Sequence, residues 1–273
     1  MTNLIQIFSF PFMQRALIAG VLLGISAPLI GIFLFSRRLS ALTDTLSHVS
    51  LMGLVIGSVL GFFGQYNIII AIILTIFISI IIDYLRQKEI LPAEAILIVF
   101  VVLSLSTVSI IQSKFRLERG LENLLFGSLL SLSNLDIIIT AIFLIFLAIF
   151  IKINFWKLFI SSLDANIASA EGVNVARLNF ELSLFTSVFC VLGAKLFGGL
   201  MIASLMIIPV SAAVILGVSF VNTIKLSLFF SLISIIFGIL VAWFAAVPIG
   251  ASVSLINLSI LLISFLGRVT NNN

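Results

Sequence analysis

Long apolar runs of roughly 20 residues alternate with short polar breaks along the whole chain, a pattern that predicts membrane-crossing helices. The runs cover residues 15–35, 42–63, 67–85, 92–111 and 135–153, then 180–216, 224–244 and a last one ending near 266. The stretch 180–216 is long enough for two passes, and Gly198-Gly199 offers the break between them. That makes nine spans, or eight if one segment is re-entrant. Residues 124–133 are too short to span and read as interfacial or re-entrant, and residues 1–11 read as an interfacial lead. Gly53, Gly57 and Gly61 recur every fourth residue and predict a smooth ridge along the second span. Gly20, Gly24 and Pro28 in the first span predict close helix approach or a bend.

The runs are too continuous for the alternating strands of a barrel, and hydrocarbon admits only helices or closed barrels. The expected fold class is an all-α integral membrane protein, a polytopic bundle of eight to nine transmembrane helices forming one domain over residues 1–273. Composition agrees: 62% of residues are hydrophobic and 9% charged, against roughly 25% charged in soluble chains. The net charge of +4 is scattered over loops with no basic stripe, so nucleic acid is not an expected partner. With nine spans and the N-terminus outside, Arg37, Arg38, Arg86, Lys88, Lys152, Lys157, Arg177, Lys225 and Arg268 fall inside. Arg15, Lys114, Arg116 and Arg119 fall outside and Lys195 lies near a helix end, a bias in the direction of the positive-inside rule. The single cysteine, Cys190, excludes an internal disulfide and a multi-cysteine metal site. The start lacks a signal-peptide pattern, so the first span is expected to stay in the mature chain.

Asp44 and His48, the only histidine, stand four residues apart on one face of the second span. An aspartate at the centre of a membrane helix costs about 2.5–3.5 kcal/mol, so such a residue marks a site unless a partner explains it. A carboxylate and an imidazole suit a borderline transition metal such as Zn²⁺ or Mn²⁺, but two donors do not complete such a site. A symmetric dimer supplies a second pair; an Asp–His hydrogen bond that locks packing is the structural alternative. Ser47, Ser50 and Met52 lie close by, with packing as their simpler role. Asp83 reads as solvated or paired with Arg86, Glu94 as a helix-start acid, and Glu181 and Lys195 as snorkelling side chains. The segment 156–179 reads as a loop holding a helix of about two turns, capped by Ser162 or Asp164 and stopped at Gly172. No GxxxxGK[ST], HExxH or GxSxG occurs.

SRRLSALTDTLSHVSLMG, residues 36–53, resembles the signature near the second helix of the zinc/manganese class of ATP-binding-cassette permeases. There a basic pair precedes Gly-Asp-x-x-(Ser/Ala)-His-x-x-x-x-Gly; Asp44, Ser47, His48 and Gly53 match, and Thr43 replaces the first glycine. LENLLFGSLL, SLDANIASAEGVNVARLN and GGLMIASLMIIPVSAA resemble three further family segments in the same order. The resemblance implies a permease subunit, not itself an enzyme, in the bacterial cytoplasmic (inner) membrane, pairing with a second copy. It implies a separate ATPase that uses ATP and meets a short cytoplasmic coupling helix through Asp164, Ala168 and Gly172. It also implies an extracytoplasmic metal-binding protein, and Asp44 and His48 in contact with the transported ion. No permanently bound cofactor is expected, and the wording around Asp44 favours zinc over manganese. A proton- or ion-coupled secondary transporter using the Asp44–His48 pair is the alternative, and an intramembrane enzyme a distant third.

Overall fold

The computed structural model describes residues 10–60, 66–115 and 132–271, and every regular element within them is a helix. In chain order these are α1 (Pro11–Ser36), α2 (Ser40–Val59), α3 (Tyr66–Gln87), α4 (Ala93–Phe115) and α5 (Asn134–Leu163). They continue with α6 (Ala165–Ala170), α7 (Val175–Phe197), α8 (Gly199–Ile215), α9 (Phe220–Ala245) and α10 (Ile249–Asn271). Eight of the described helices are long and apolar enough to cross a membrane. The helix α8, at 17 residues, is shorter; it rises about 25 Å, the lower limit for a pass. It follows the expected break at Gly198, whose φ of +87° suits only glycine, and there the chain turns back on itself. A Cβ on Gly193 would come within 3.0 Å of the Ile202 side chain across this hairpin. Gly61 and most of residues 124–133, with the family segment they carry, lie outside the described residues.

Two clusters of contacts define the ends of the bundle. At one, Phe220 packs on Phe33 and Phe159, Arg268 donates to the Ile215 carbonyl at 2.7 Å, and Arg37 reaches α5 and α7. At the other, Trp243 packs on Phe10 and Phe12, and Arg15 donates to the Leu132 carbonyl at 3.1 Å. Arg37, Arg38, Arg86, Lys88, Lys157, Arg177, Lys225 and Arg268 gather at the first end, which the positive-inside bias makes cytoplasmic. Among the described residues only Arg15, Lys114 and Lys195 belong to the opposite end.

The helix α2 sits inside the bundle against α3, α4, α7 and α8. Its glycine ridge is occupied: a Cβ on Gly53 would lie 2.7 Å from Ala71 Cα, and one on Gly57 3.0 Å from Asn67 Cα. Hydrocarbon offers no hydrophobic drive between helices, so such backbone approach is what van der Waals packing requires. In α1, Pro28 has no N–H for the Gly24 carbonyl one turn back, and Ser231 Oγ of α9 donates to that carbonyl at 2.8 Å. The helix α3 is patterned inside out. Ile69, Ile73, Phe77, Ile80 and Tyr84 are exposed along one side, while Thr75, Ser79 and Asp83 are buried on the other.

The segment read as a loop from residue 156 is helical as far as Leu163, because its apolar positions keep helical spacing and Leu158, Ile160 and Ser161 remain buried. Overpacking the α2–α3 contact tests the ridge. Gly53→Val should destabilise the protein by about 1–3 kcal/mol, seen as a lower melting temperature in detergent. Gly267→Ala, facing open space, should leave the melting temperature unchanged.

Candidate functional site

Asp44 and His48 project from the cytoplasmic half of α2 onto a face that the chain itself leaves open. His48 Nε2 stands 3.8 Å from Asp44 Oδ1, beyond hydrogen-bonding reach, and the two side chains are 24% and 60% exposed. Two donors at about 2.0–2.2 Å from one tetrahedral Zn²⁺ lie about 3.3–3.6 Å apart, so a small side-chain adjustment would bring the pair to the spacing of a shared ion. His48 Nδ1 is buried and has no hydrogen-bond partner among the described residues. No group of three or more His, Cys, Asp or Glu able to hold a metal occurs among the described residues. Ser47 and Ser50 turn their hydroxyls to the Asp44 and Ser47 carbonyls at 2.7 Å each, and Met52 is buried in packing. The buried Cys190 thiol points at the Thr43 carbonyl.

At the cytoplasmic end Asp164, Ala168 and Gly172 shape one short helix. Asp164 is the N-cap of α6, its Oδ1 accepting from the amides of Asn166 at 2.7 Å and Ile167 at 3.3 Å. Ala168 is fully buried and anchors the inner face, leaving Ile167 exposed on the outer one. Gly172, at φ +81°, ends the helix: its amide donates to Ser169 and that of Val173 to Ala168, each at 3.0 Å, which is the Schellman closure. Two clefts of about 320 and 250 Å³ flank this segment, one reaching Gly172 and Arg177 and the other Arg37 and Asp164; neither includes Asp44 or His48.

Arg37, named at first only as part of a basic pair, is half-buried beneath the α6 segment. Its guanidinium donates to Asn179 Oδ1 at 2.5 Å, Ser161 Oγ at 2.6 Å and the Leu158 carbonyl at 3.4 Å. Burial lowers its pKa to about 10, which leaves it protonated at neutral pH. Arg86 lies 3.6 Å from the buried Asp83, so that acid is paired and not solvated.

Lys195 does not snorkel. Its Nζ donates to Asp136 Oδ1 at 2.8 Å, joining α7 to α5 at the extracytoplasmic end, because Asp136 is buried and needs a counter-charge. Asp136 Oδ2 also accepts from the Ser133 amide and hydroxyl at 3.0 and 2.9 Å, closing a capping box on α5. The spacing Ser133-x-x-Asp136 before an apolar run was the available signal for this residue. Glu181 likewise accepts from Arg177 Nε at 2.8 Å, at the cytoplasmic start of α7.

A bundle of membrane-length helices, with an open acid–imidazole pair on α2 and a capped helix displayed at the cytoplasmic end, is the form taken here by a chain whose relatives are transport permeases and not enzymes. The chain belongs to the ABC 3 transport family, which it matches over residues 9–268. It is 30% identical over 264 residues to the high-affinity zinc uptake system membrane protein ZnuB of Haemophilus influenzae, covering 95% of this chain and 98% of that protein. It is 27% identical over 263 residues to the manganese import system permease protein ScaB of Streptococcus gordonii, covering 94% and 91%. Among solved structures, PsaBC from Streptococcus pneumoniae in complex with Fab superposes with a TM-score of 0.84 at 27% identity, over 96% of this chain and 94% of that one. The protein is thus a metal permease of the zinc/manganese class, a multi-pass protein of the bacterial cytoplasmic membrane.

The two ion pairs should differ in weight. Lys195→Met strands the buried Asp136 and should cost about 3 kcal/mol or more. Arg177→Met, whose side chain is 77% exposed, should cost about 1 kcal/mol or less. Thermal unfolding in detergent of the two variants side by side checks the order.

Proposed function

We propose that the chain is the permease subunit of an ATP-driven zinc importer, working as a homodimer by alternating access. The observation that carries this reading is the Asp44–His48 pair: two metal donors 3.8 Å apart, open to the surface and without a third donor from the described part of the same chain. A symmetric partner brings a second pair to the same axis and completes four donors. Zinc is preferred over manganese because a carboxylate–imidazole set suits both ions while ZnuB, a zinc uptake protein, stands among the relatives at 30% identity. An extracytoplasmic binding protein delivers the ion, and a separate ATPase meets α6 through the segment shaped by Asp164, Ala168 and Gly172. The chain carries no phosphate-binding GxxxxGK[ST] loop of its own, in keeping with a partner that hydrolyses ATP.

Asp44→Ala and His48→Ala should each reduce zinc uptake about tenfold or more in cells, with membrane insertion and ATPase association unchanged. Uptake at the wild-type level in both variants would remove the metal site. Uptake that persists after ATP depletion while a proton gradient is kept would instead favour a proton-coupled carrier. A second expectation concerns α6: Gly172→Pro, which removes the amide that donates to Ser169, should detach or uncouple the ATPase. Co-purification of an intact complex with normal uptake would contradict that role.

A further inference from the structure

Arg37 is the residue through which the α1–α2 turn touches both flanks of the α6 segment. Leu158 and Ser161, on the last turns of α5, lead directly into the α6 cap at Asp164; Asn179 lies in the first turns of α7, just after the segment ends. Arg37 therefore grips the segment from both sides. On its own strand of chain it stands three residues before α2, and Asp44 and His48 follow within the next eleven.

The turn that carries Arg37 is stiff. The Leu39 amide donates to Leu34 at 2.8 Å and the Arg38 amide to Phe35 at 3.0 Å, a Schellman closure with Arg38 at φ +57°. That left-handed conformation is unfavourable for a residue with a Cβ, so the surrounding contacts impose it. A planar guanidinium presents donors in fixed directions and engages three acceptors at once, which a lysine ammonium on a flexible stem does less well. Beside these bonds lies the cleft of about 250 Å³ bordered by Arg38, Arg86 and Asp164.

We propose that Arg37 is a positioning residue of the transport cycle: it links the α6 segment to α2, so that displacement of α6 by an ATPase moves the helix bearing Asp44 and His48. The proposal rests on the reading that an ATPase meets α6. A purely structural brace would lower stability and leave the yield of transport per ATP untouched. A linkage would lower the yield while the complex and its ATP hydrolysis persist.

The test uses the full chain with its ATPase and binding protein in liposomes, measuring zinc delivered per ATP hydrolysed. Arg37→Gln should keep the ATPase bound and hydrolysing, with zinc per ATP down about tenfold. Arg37→Lys should recover only part of it, and Arg38→Gln, the same charge loss one residue on, should match wild type. The double variant Ser161→Ala/Asn179→Ala removes two acceptors and leaves Arg37 in place; it should reproduce the loss, and it decides the matter if Arg37→Gln fails to fold. A wild-type ratio in the double variant or in Arg37→Gln, or an equal loss in Arg38→Gln, overturns the linkage. So does loss of the ATPase from the Arg37→Gln complex, which would make Arg37 a docking residue. Wild-type uptake that ignores ATP would overturn the importer reading and this proposal with it, an outcome distinct from failure of the linkage alone.

Discussion

Hydrocarbon offers polar groups no partner, so each one inside the span must be satisfied by the protein or by what the protein carries. Much of the architecture follows from that demand. Pro28 frees a carbonyl of α1, and Ser231 of α9 reaches over to take it. Thr186 and Ser187 return their hydroxyls to carbonyls of their own helix, each at 2.8 Å. Asp136 is neutralised by Lys195 from another helix and by the capping box at its own helix start. The Thr75 and Ser79 hydroxyls have no hydrogen-bond partner among the described residues, and the packing around them supplies no reason. Asp44 and His48 depart from the rule in a different way, since they are not sealed in but left open on one face of α2.

That opening matters because of where α2 lies. It is held by four neighbours and seated on α3 through glycines, so its position is set by packing and not by the site. Side chains on such a helix start from a fixed backbone position, which lowers the ordering cost of binding wherever a ligand is taken. The same rigidity lets the start of α2 act as one body with the α1–α2 turn, whose contacts lie at the cytoplasmic end. The half of α2 that bears Asp44 and His48 and the α6 segment are thus neighbours through covalent chain on one side and through a guanidinium on the other.

The spans were legible because a helix in lipid must be long and apolar, a demand that leaves little freedom in the sequence. The Gly53–Gly57 ridge, the break at Gly198 and the Asp164 and Gly172 ends of α6 were legible for a related reason: each needs a particular residue type. What pairs with what was harder to read. Lys195 near a helix end looks the same whether it snorkels or meets Asp136, 59 positions away. The partners of Arg37 lie more than 100 positions along the chain, and no local spacing announces them. The extent of α5 was underestimated because hydropathy marks where a helix leaves the hydrocarbon, not where it ends. Of the candidate site, Asp44, His48 and their spacing were visible in the sequence, whereas their exposure and the 3.8 Å gap required the fold.

The length of α5 has a mechanical meaning. At 30 residues it is about 45 Å long, against a hydrocarbon core of about 30 Å. Roughly ten of its residues are therefore surplus to crossing, and α6 is borne at the tip of a stalk. That stalk is braced: Leu158, Ile160 and Ser161 stay buried and Arg37 donates to two of them, so the emerging turns are held against the bundle. How much of α5 stands clear of the hydrocarbon depends on the lipid around it, because a thicker bilayer covers more of its last turns.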